Sequence, residues 1–395
     1  MRAGKQVRKD DICPACLAET HHLTDWEYSG LDASIFNYTA KWHSCNNCGL
    51  VYVANIDDET LAQFYANECS YFENDHFDIT SPANVAKYQH YFDFISKAGL
   101  ENTPITDIGC GRGGFLQWLN KKGWQANVIG VDVDIKSMPD NSPKQNSDDS
   151  QISFQTGGAL SLPFAVNSQS LLTYFHVLEH IHDLDSVLSN AHTVLMNQGH
   201  ILIEVPDAEN YTQQPVGTAF WMGIREHIYH YSAQSLSNAL NRHGFEIVSC
   251  QRATLPTPEF EYPSLMILAK KTEHPSPTVF EPIGNIANYV TSSKLALQEQ
   301  AETLITLAKQ NSQLTIWGIS THLFSLLPKL TGIDYRLCDA SKQKQQSHYQ
   351  QQLILDPREI EPEAVLVIAP YLHAEKIENA ALSLGWRPQS IHLLH

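Results

Sequence analysis

Ile105-Thr106-Asp107-Ile108-Gly109-Cys110-Gly111-Arg112-Gly113-Gly114-Phe115 is the stretch on which the reading of this chain turns. An apolar strand end carrying an acid runs into a glycine-rich turn, and the turn opens a helix at Phe115-Leu116-Gln117-Trp118-Leu119. Glycines let backbone approach a ligand closely, and a helix N-terminus presents unpaired N–H groups to it. The spacing Asp-x-Gly-x-Gly-x-Gly is not the dinucleotide pattern Gly-x-Gly-x-x-Gly, which leads into a pyrophosphate site. One short helix downstream, Val128-Ile129-Gly130-Val131-Asp132 is a second apolar strand ending in an acid. At the carboxyl edge of an open α/β sheet such an acid is placed to accept hydrogen bonds from two ribose hydroxyls.

The 395 residues leave room for two or three domains, and 43% hydrophobic with 17% charged residues suits a core-forming globular chain. No apolar run is long enough to cross a bilayer, and Met1 to Asp11 lacks the apolar core of a signal peptide. The expected location is cytoplasmic, with no membrane partner. A net charge of −17 argues against a nucleic-acid substrate, because a phosphate backbone calls for a basic surface.

Four of the eight cysteines form two Cys-x-x-Cys pairs, Cys13/Cys16 and Cys45/Cys48, with 28 residues between them. Tetrahedral zinc needs four soft ligands, and each tight turn supplies two, so the pattern predicts a four-cysteine zinc ribbon. Four protein ligands leave no open position, which makes the expected ion structural. Disulfides are the rival reading, disfavoured in a reducing compartment. His43 is expected to be a solvated loop residue rather than a ligand. Cys69, Cys110, Cys250 and Cys338 read as small core or near-core residues.

The expected fold class is α/β, divided into a ribbon at 1–70, a doubly wound parallel sheet at 71–273 and a smaller Rossmann-like unit at 274–395. A helix is expected from Asn84 to Ala98. Strands and helices then alternate to Lys271: Ile201 to Pro206 as a buried strand, Gln234 to His243 as a helix ended by Gly244, Phe245 to Val248 as a strand. Lys136 to Gln151 is polar and aperiodic, a surface loop. After His274-Pro275-Ser276-Pro277, a long helical pattern (Ile283 to Gln310) precedes apolar strands at Leu314–Ser320, Tyr335–Asp339 and Ala364–Ala369. No full glycine fingerprint accompanies them, so no second nucleotide cofactor is expected there.

Two histidine clusters could carry chemistry. His176-Val177-Leu178-Glu179-His180-Ile181-His182-Asp183 follows the apolar strand Leu171 to Phe175, and Arg225-Glu226-His227-Ile228-Tyr229-His230-Tyr231-Ser232 lies further on. Histidine has the unperturbed pKa best placed to accept a proton near neutral pH, and a neighbouring acid can orient it. His182 reads as a solvated helix-start residue, His230 and Tyr229 as packing residues, and a metal at the first cluster lacks a third-ligand pattern.

The glycine turn and the acidic strand after it resemble motif I and the following strand of class I S-adenosylmethionine-dependent methyltransferases. The resemblance implies that Gly109, Gly111 and Gly113 shape the pocket around the methionine part of the cofactor. It implies that Asp107 orients the turn or the cofactor's amino group and that Asp132 holds the ribose. Gly157-Gly158 stand where the family usually has an acid or amide near the adenine, which leaves backbone near Ala159 for that contact. His176 would face the cofactor and His180 the acceptor. With the cysteine pairs upstream and an α/β unit downstream, the Glu226-His227 step resembles the three-domain C-methyltransferases of nucleotide-linked 4-keto-deoxysugars. That likeness implies a small-molecule acceptor, His227 as base, Glu226 and His180 beside the acceptor, and Tyr71 reaching over it. Ile224 stands where that family often has a tyrosine, so an O- or N-methyltransferase of a sugar or other small metabolite remains an alternative. A non-catalytic zinc-ribbon interaction protein is a further one.

Overall fold

The computed structural model describes residues 11–67, 78, 80–133, 152–217, 219–311, 313–362 and 365–394. At its centre is a seven-stranded sheet in the spatial order Phe245–Pro256, Glu261–Lys271, Leu195–Pro206, Gln169–Phe175, Ile105–Ile108, Val128–Asp132, Ile152–Thr156. The chain starts in the middle at Ile105–Ile108, steps outward through Val128–Asp132 to Ile152–Thr156, and returns to the other side at Gln169–Phe175. All four residues of Ile105–Ile108 are buried, as a strand covered on both faces requires. Strand order reverses between Ile105–Ile108 and Gln169–Phe175, and the crevice outside the carboxyl ends of two such strands is where an open α/β sheet binds its ligand.

The expected parallel sheet is in fact mixed. Glu261–Lys271 runs antiparallel to both Leu195–Pro206 and Phe245–Pro256. Only Thr257 to Phe260 separate Phe245–Pro256 from Glu261–Lys271, far too few for the crossover that a parallel pair needs. The strand starting at Phe245 therefore extends well beyond the apolar run Phe245 to Val248. The helices match the periodic stretches more closely: Pro82–Lys97, Gly114–Lys121, Ala233–Arg242 and Ile286–Gln310. The polar segment Lys136 to Gln151 lies outside the described residues.

His21–Tyr28, Tyr38–Ser44 and Val51–Val53 form an antiparallel sheet behind the cysteine turns. Its fourth strand comes from far along the chain: Tyr229–His230 pairs with Val51–Val53, setting His230 opposite Val51 and Tyr229 opposite Tyr52. His43 is not solvated. It lies in the middle strand between His22 and Tyr52 and is buried by both neighbours. A third sheet, wholly parallel, has the order Arg336–Cys338, Leu314–Trp317, Val365–Ile368, Ile391–Leu393. The N-terminal sheet also meets this last part of the chain, through Trp26 Nε1 donating to Ser325 Oγ (3.1 Å) and Ser29 N donating to Phe324 O (2.9 Å). Most buried apolar residues of all three sheets belong to one continuous core.

Ser232 joins these parts at one atom. Its hydroxyl caps the helix Ala233–Arg242 in a reciprocal box with Ser235 and also donates to Cys48 O at 2.6 Å. Arg242, at the other end of that helix, donates to the carbonyl of Pro14. Ser232→Ala removes a cap worth about 1 kcal/mol and a buried hydrogen bond worth about as much. The expected loss is therefore about 2 kcal/mol in equilibrium denaturation, with the zinc content of the cysteine turns measured alongside.

Candidate active site

The glycine turn is held by the acid of the neighbouring strand. Gly111 N donates to Asp132 Oδ2 at 2.8 Å, so part of the Asp132 carboxylate fixes the turn it shares the crevice with. Gly109, Gly111 and Gly113 all have positive φ. A Cβ on Gly109 would come within 2.6 Å of Val177, and one on Gly113 within 2.4 Å of the Phe154 ring, so the turn needs glycine for backbone and for space alike. Asp107 is buried one strand away and accepts from Thr173 Oγ1 at 2.7 Å. Burial pushes its carboxyl up to about 7, against the Thr173 hydrogen bond and helped by the charge of Asp132. Ala159 is buried just beyond Ile152–Thr156 at the same edge of the sheet. Positive-φ glycines and two acids at a switch point are features an aminoacyl nucleoside of the S-adenosylmethionine type requires, and the residues fit it.

His176 follows directly on Gln169–Phe175 and is one of few non-glycine residues with a positive φ, 56°. Nδ1 lies 3.1 Å from Glu179 Oε1 and Nε2 3.2 Å from Glu204 Oε2. Burial by itself would lower its pKa, but Glu204 and Glu179 outweigh that and the net shift is upward. A ring with a carboxylate on each nitrogen can donate to both only when protonated, so the two acids favour the charged form of His176. Glu204 is fully buried and also accepts from Tyr91 OH (3.0 Å), Tyr262 OH (2.9 Å) and Ser264 Oγ (2.7 Å). Glu179 and Glu204 escaped the sequence reading. The signal for Glu204 was an acid inside the apolar run Ile201-Leu202-Ile203-Glu204-Val205, which must find partners once buried.

Beside them the two histidine clusters meet. The His180 and His227 rings stand edge to face with centroids 4.7 Å apart, although 46 residues separate them. His180 Nδ1 donates to Glu226 O at 3.2 Å, and Ile228 N donates to Glu179 O at 2.9 Å. His227 and Glu226 are both buried. No hydrogen-bond partner for His227 Nδ1 is found among the described residues. Burial, then the neighbouring His180, His230 and His176, hold its pKa well below the usual value, so the ring is neutral at pH 7. His230 stacks on Trp42 and accepts or donates at Tyr211 OH, a packing role as expected. His182 is half-buried, its backbone N–H bound to the Asp58 carboxylate. Tyr71 lies outside the described residues.

The four cysteines of the two pairs converge. Sγ of Cys13 is 3.6 Å from that of Cys48, and Sγ of Cys16 is 3.5 Å from that of Cys45. Thiolates about 2.3 Å from a tetrahedral zinc ion sit about 3.8 Å apart, so this cluster is compatible with zinc and too wide for sulfur–sulfur bonds.

Residues 82–250 match a family model described as a methyltransferase domain. No curated protein matches the chain. Among solved structures, the YcgJ protein of Bacillus subtilis is 16% identical with a TM-score of 0.38, covering 47% of this chain and 99% of its own. An S-adenosylmethionine-dependent methyltransferase of Mesorhizobium loti is 17% identical at a TM-score of 0.38, covering 49% and 100%. The 1,6-didemethyltoxoflavin-N1-methyltransferase of Burkholderia thailandensis, solved with 1,6-didemethyltoxoflavin and S-adenosylhomocysteine, is 17% identical at 0.43, covering 62% and 100%. Among the described residues no helix is long and apolar enough to cross a membrane.

Asp107 makes a pH prediction. Its carboxyl titrates near 7 in the folded protein and near 4 when unfolded. Between those values the folded state keeps a proton that the unfolded chain has released. Its contribution is thus full below about pH 4 and is lost as pH rises through about 7, at up to about 1.4 kcal/mol per unit. Asp107→Asn, which can still accept from Thr173, should flatten that slope in denaturant melts between pH 4 and 7.

Proposed function

An S-adenosylmethionine-dependent methyltransferase must align its acceptor and remove a proton from it, and we propose that this one C-methylates a nucleotide-linked keto-deoxysugar. The observation that supports this reading is the buried, neutral His227 with an unpartnered Nδ1, set against His180 beside the cofactor crevice. Bound S-adenosylmethionine supplies an activated methyl group. His227 takes the proton from the carbon next to the acceptor's keto group, and the enolate left on the acceptor is the nucleophile. His180, its Nδ1 committed to Glu226 O, presents Nε2 toward the same space. Glu226 orients the pair, and Tyr71 closes over the acceptor. Gly109, Gly111, Gly113, Asp107, Asp132, Ala159 and His176 bind the cofactor. General-base catalysis of this kind contributes roughly 10²–10⁴-fold.

The same reading gives the chain three parts, 1–70, 71–273 and 274–395, with a structural zinc ion on Cys13, Cys16, Cys45 and Cys48, and places it in the cytoplasm. Chelating that zinc, or Cys45→Ser, is expected to lower the melting temperature. It should also lower methyl transfer more than cofactor affinity, because the strand Val51–Val53 after Cys48 holds Tyr229–His230 just beyond His227.

The deciding assay is methyl transfer in heavy water, with nucleotide-linked 4-keto sugars and matched hydroxy and amino sugars, read by mass spectrometry. A methyl gain on a keto sugar is expected, together with deuterium uptake that needs no cofactor and falls roughly 10²–10⁴-fold in His227→Ala. Methylation of hydroxy or amino sugars alone would replace carbon by oxygen or nitrogen as the acceptor atom.

A further inference from the structure

Glu179, His180 and His227 each bring one donor atom to a common space, all within 4.8 Å of one another. Two of these residues also carry an idle atom: Glu179 Oε2 and His227 Nδ1 are buried, and no hydrogen-bond partner for either is found among the described residues. His180 is oriented by its neighbour. The Glu226 carbonyl can only accept, so His180 Nδ1 is a donor and, in the neutral ring, Nε2 is the one with the lone pair, 3.8 Å from Glu179 Oε1. A metal-ligating histidine characteristically donates its other N–H to a carbonyl or carboxylate, and a ligating carboxylate is itself hydrogen-bonded. The first condition holds for His180 and the second for Glu179, whose Oε1 accepts from His176. Burying a carboxylate oxygen and an imidazole nitrogen without partners is costly, and an ion shared between the two residues removes that cost.

We propose that Glu179, His180 and His227 form a second metal site, distinct from the four cysteines, for a borderline divalent transition-metal ion such as zinc. Two imidazoles and one carboxylate match the donor preference of that class, and three protein ligands leave a coordination position open. Donors of a tetrahedral nitrogen–oxygen site lie about 3.4 Å apart, so closure from the present spacing takes side-chain shifts of about 1 Å. Occupancy has a consequence that rests on the function proposed above. The ion takes the lone pair with which His227 accepts a proton, so the metal-loaded protein no longer abstracts it.

The test titrates cobalt(II) into full-length protein whose cysteine site already holds zinc, following absorption and metal content. One cobalt per chain is expected, with ligand-field bands but no thiolate charge transfer, displaced by added zinc. His227→Ala and Glu179→Gln should each weaken it by more than about 100-fold, beyond what loss of a merely supporting partner costs. His182→Ala, a half-buried histidine outside the triad, should leave it unchanged. Retained S-adenosylmethionine binding and melting temperature show that the variants fold. No cobalt bound, cobalt bound equally by both triad variants, or equal loss in His182→Ala overturns the site. None of these readouts uses a methyl acceptor, so failure of the metal site and failure of the sugar reading are separate results. In the active enzyme, methyl transfer should fall in proportion to metal occupancy.

Discussion

The backbone pairing of Val51–Val53 with Tyr229–His230 is the constraint on which the site depends. It fastens a segment from beyond the central sheet to a small sheet built at the other end of the chain. Val53 N donates to Ile228 O and Ile228 N to Glu179 O, both at 2.9 Å, so residue 228 is clamped from two sides. His227, one residue earlier, has no freedom to leave its place beside His180. The cysteine turn acts on the same clamp, since Cys48 precedes Val51–Val53 and its carbonyl accepts from Ser232. Order at the cysteine turn is thereby converted into position at the crevice, by main-chain hydrogen bonds rather than by any side chain of the site.

Behind the histidines, the electrostatics rest on two carboxylates that see no water. Glu204 tolerates full burial because three hydroxyls and His176 point at it. Glu179 is satisfied on one oxygen only. Their shared partner His176 is shifted toward its charged form and is held in a left-handed backbone conformation that a non-glycine residue adopts at some cost. His227, a few side chains away, is driven the opposite way by burial and by its histidine neighbours. One crevice thus holds a histidine pushed toward its charged form and a histidine pushed toward its neutral form, and the difference lies in which of them is hydrogen-bonded to acids.

Much of this was legible in the residues. The Asp-x-Gly-x-Gly-x-Gly turn and the acid closing the next strand are local features, and the crevice they form appears where a reversal of strand order puts it. The cysteine pairs needed only their own spacing. Helices such as Pro82–Lys97 and Ala233–Arg242 announced themselves through periodicity and caps. The antiparallel Glu261–Lys271 did not, because a strand buried on both faces has the same apolar run in either direction. His43 was misplaced for a related reason: its burial comes from the strands on either side, not from its own neighbours in sequence.

The sequence by itself determined the α/β class, the glycine turn with its acids, and the convergence of four thiols, since each depends on contacts within a few tens of residues. Only the tertiary structure decided that Tyr229–His230 completes a distant sheet, that Glu204 meets Tyr91, Tyr262 and His176, and that His227 faces His180 and Glu179. Those pairings carry no local signature. They arise when separate elements bury a common surface, and a buried donor or acceptor then takes whatever partner the packing brings within reach.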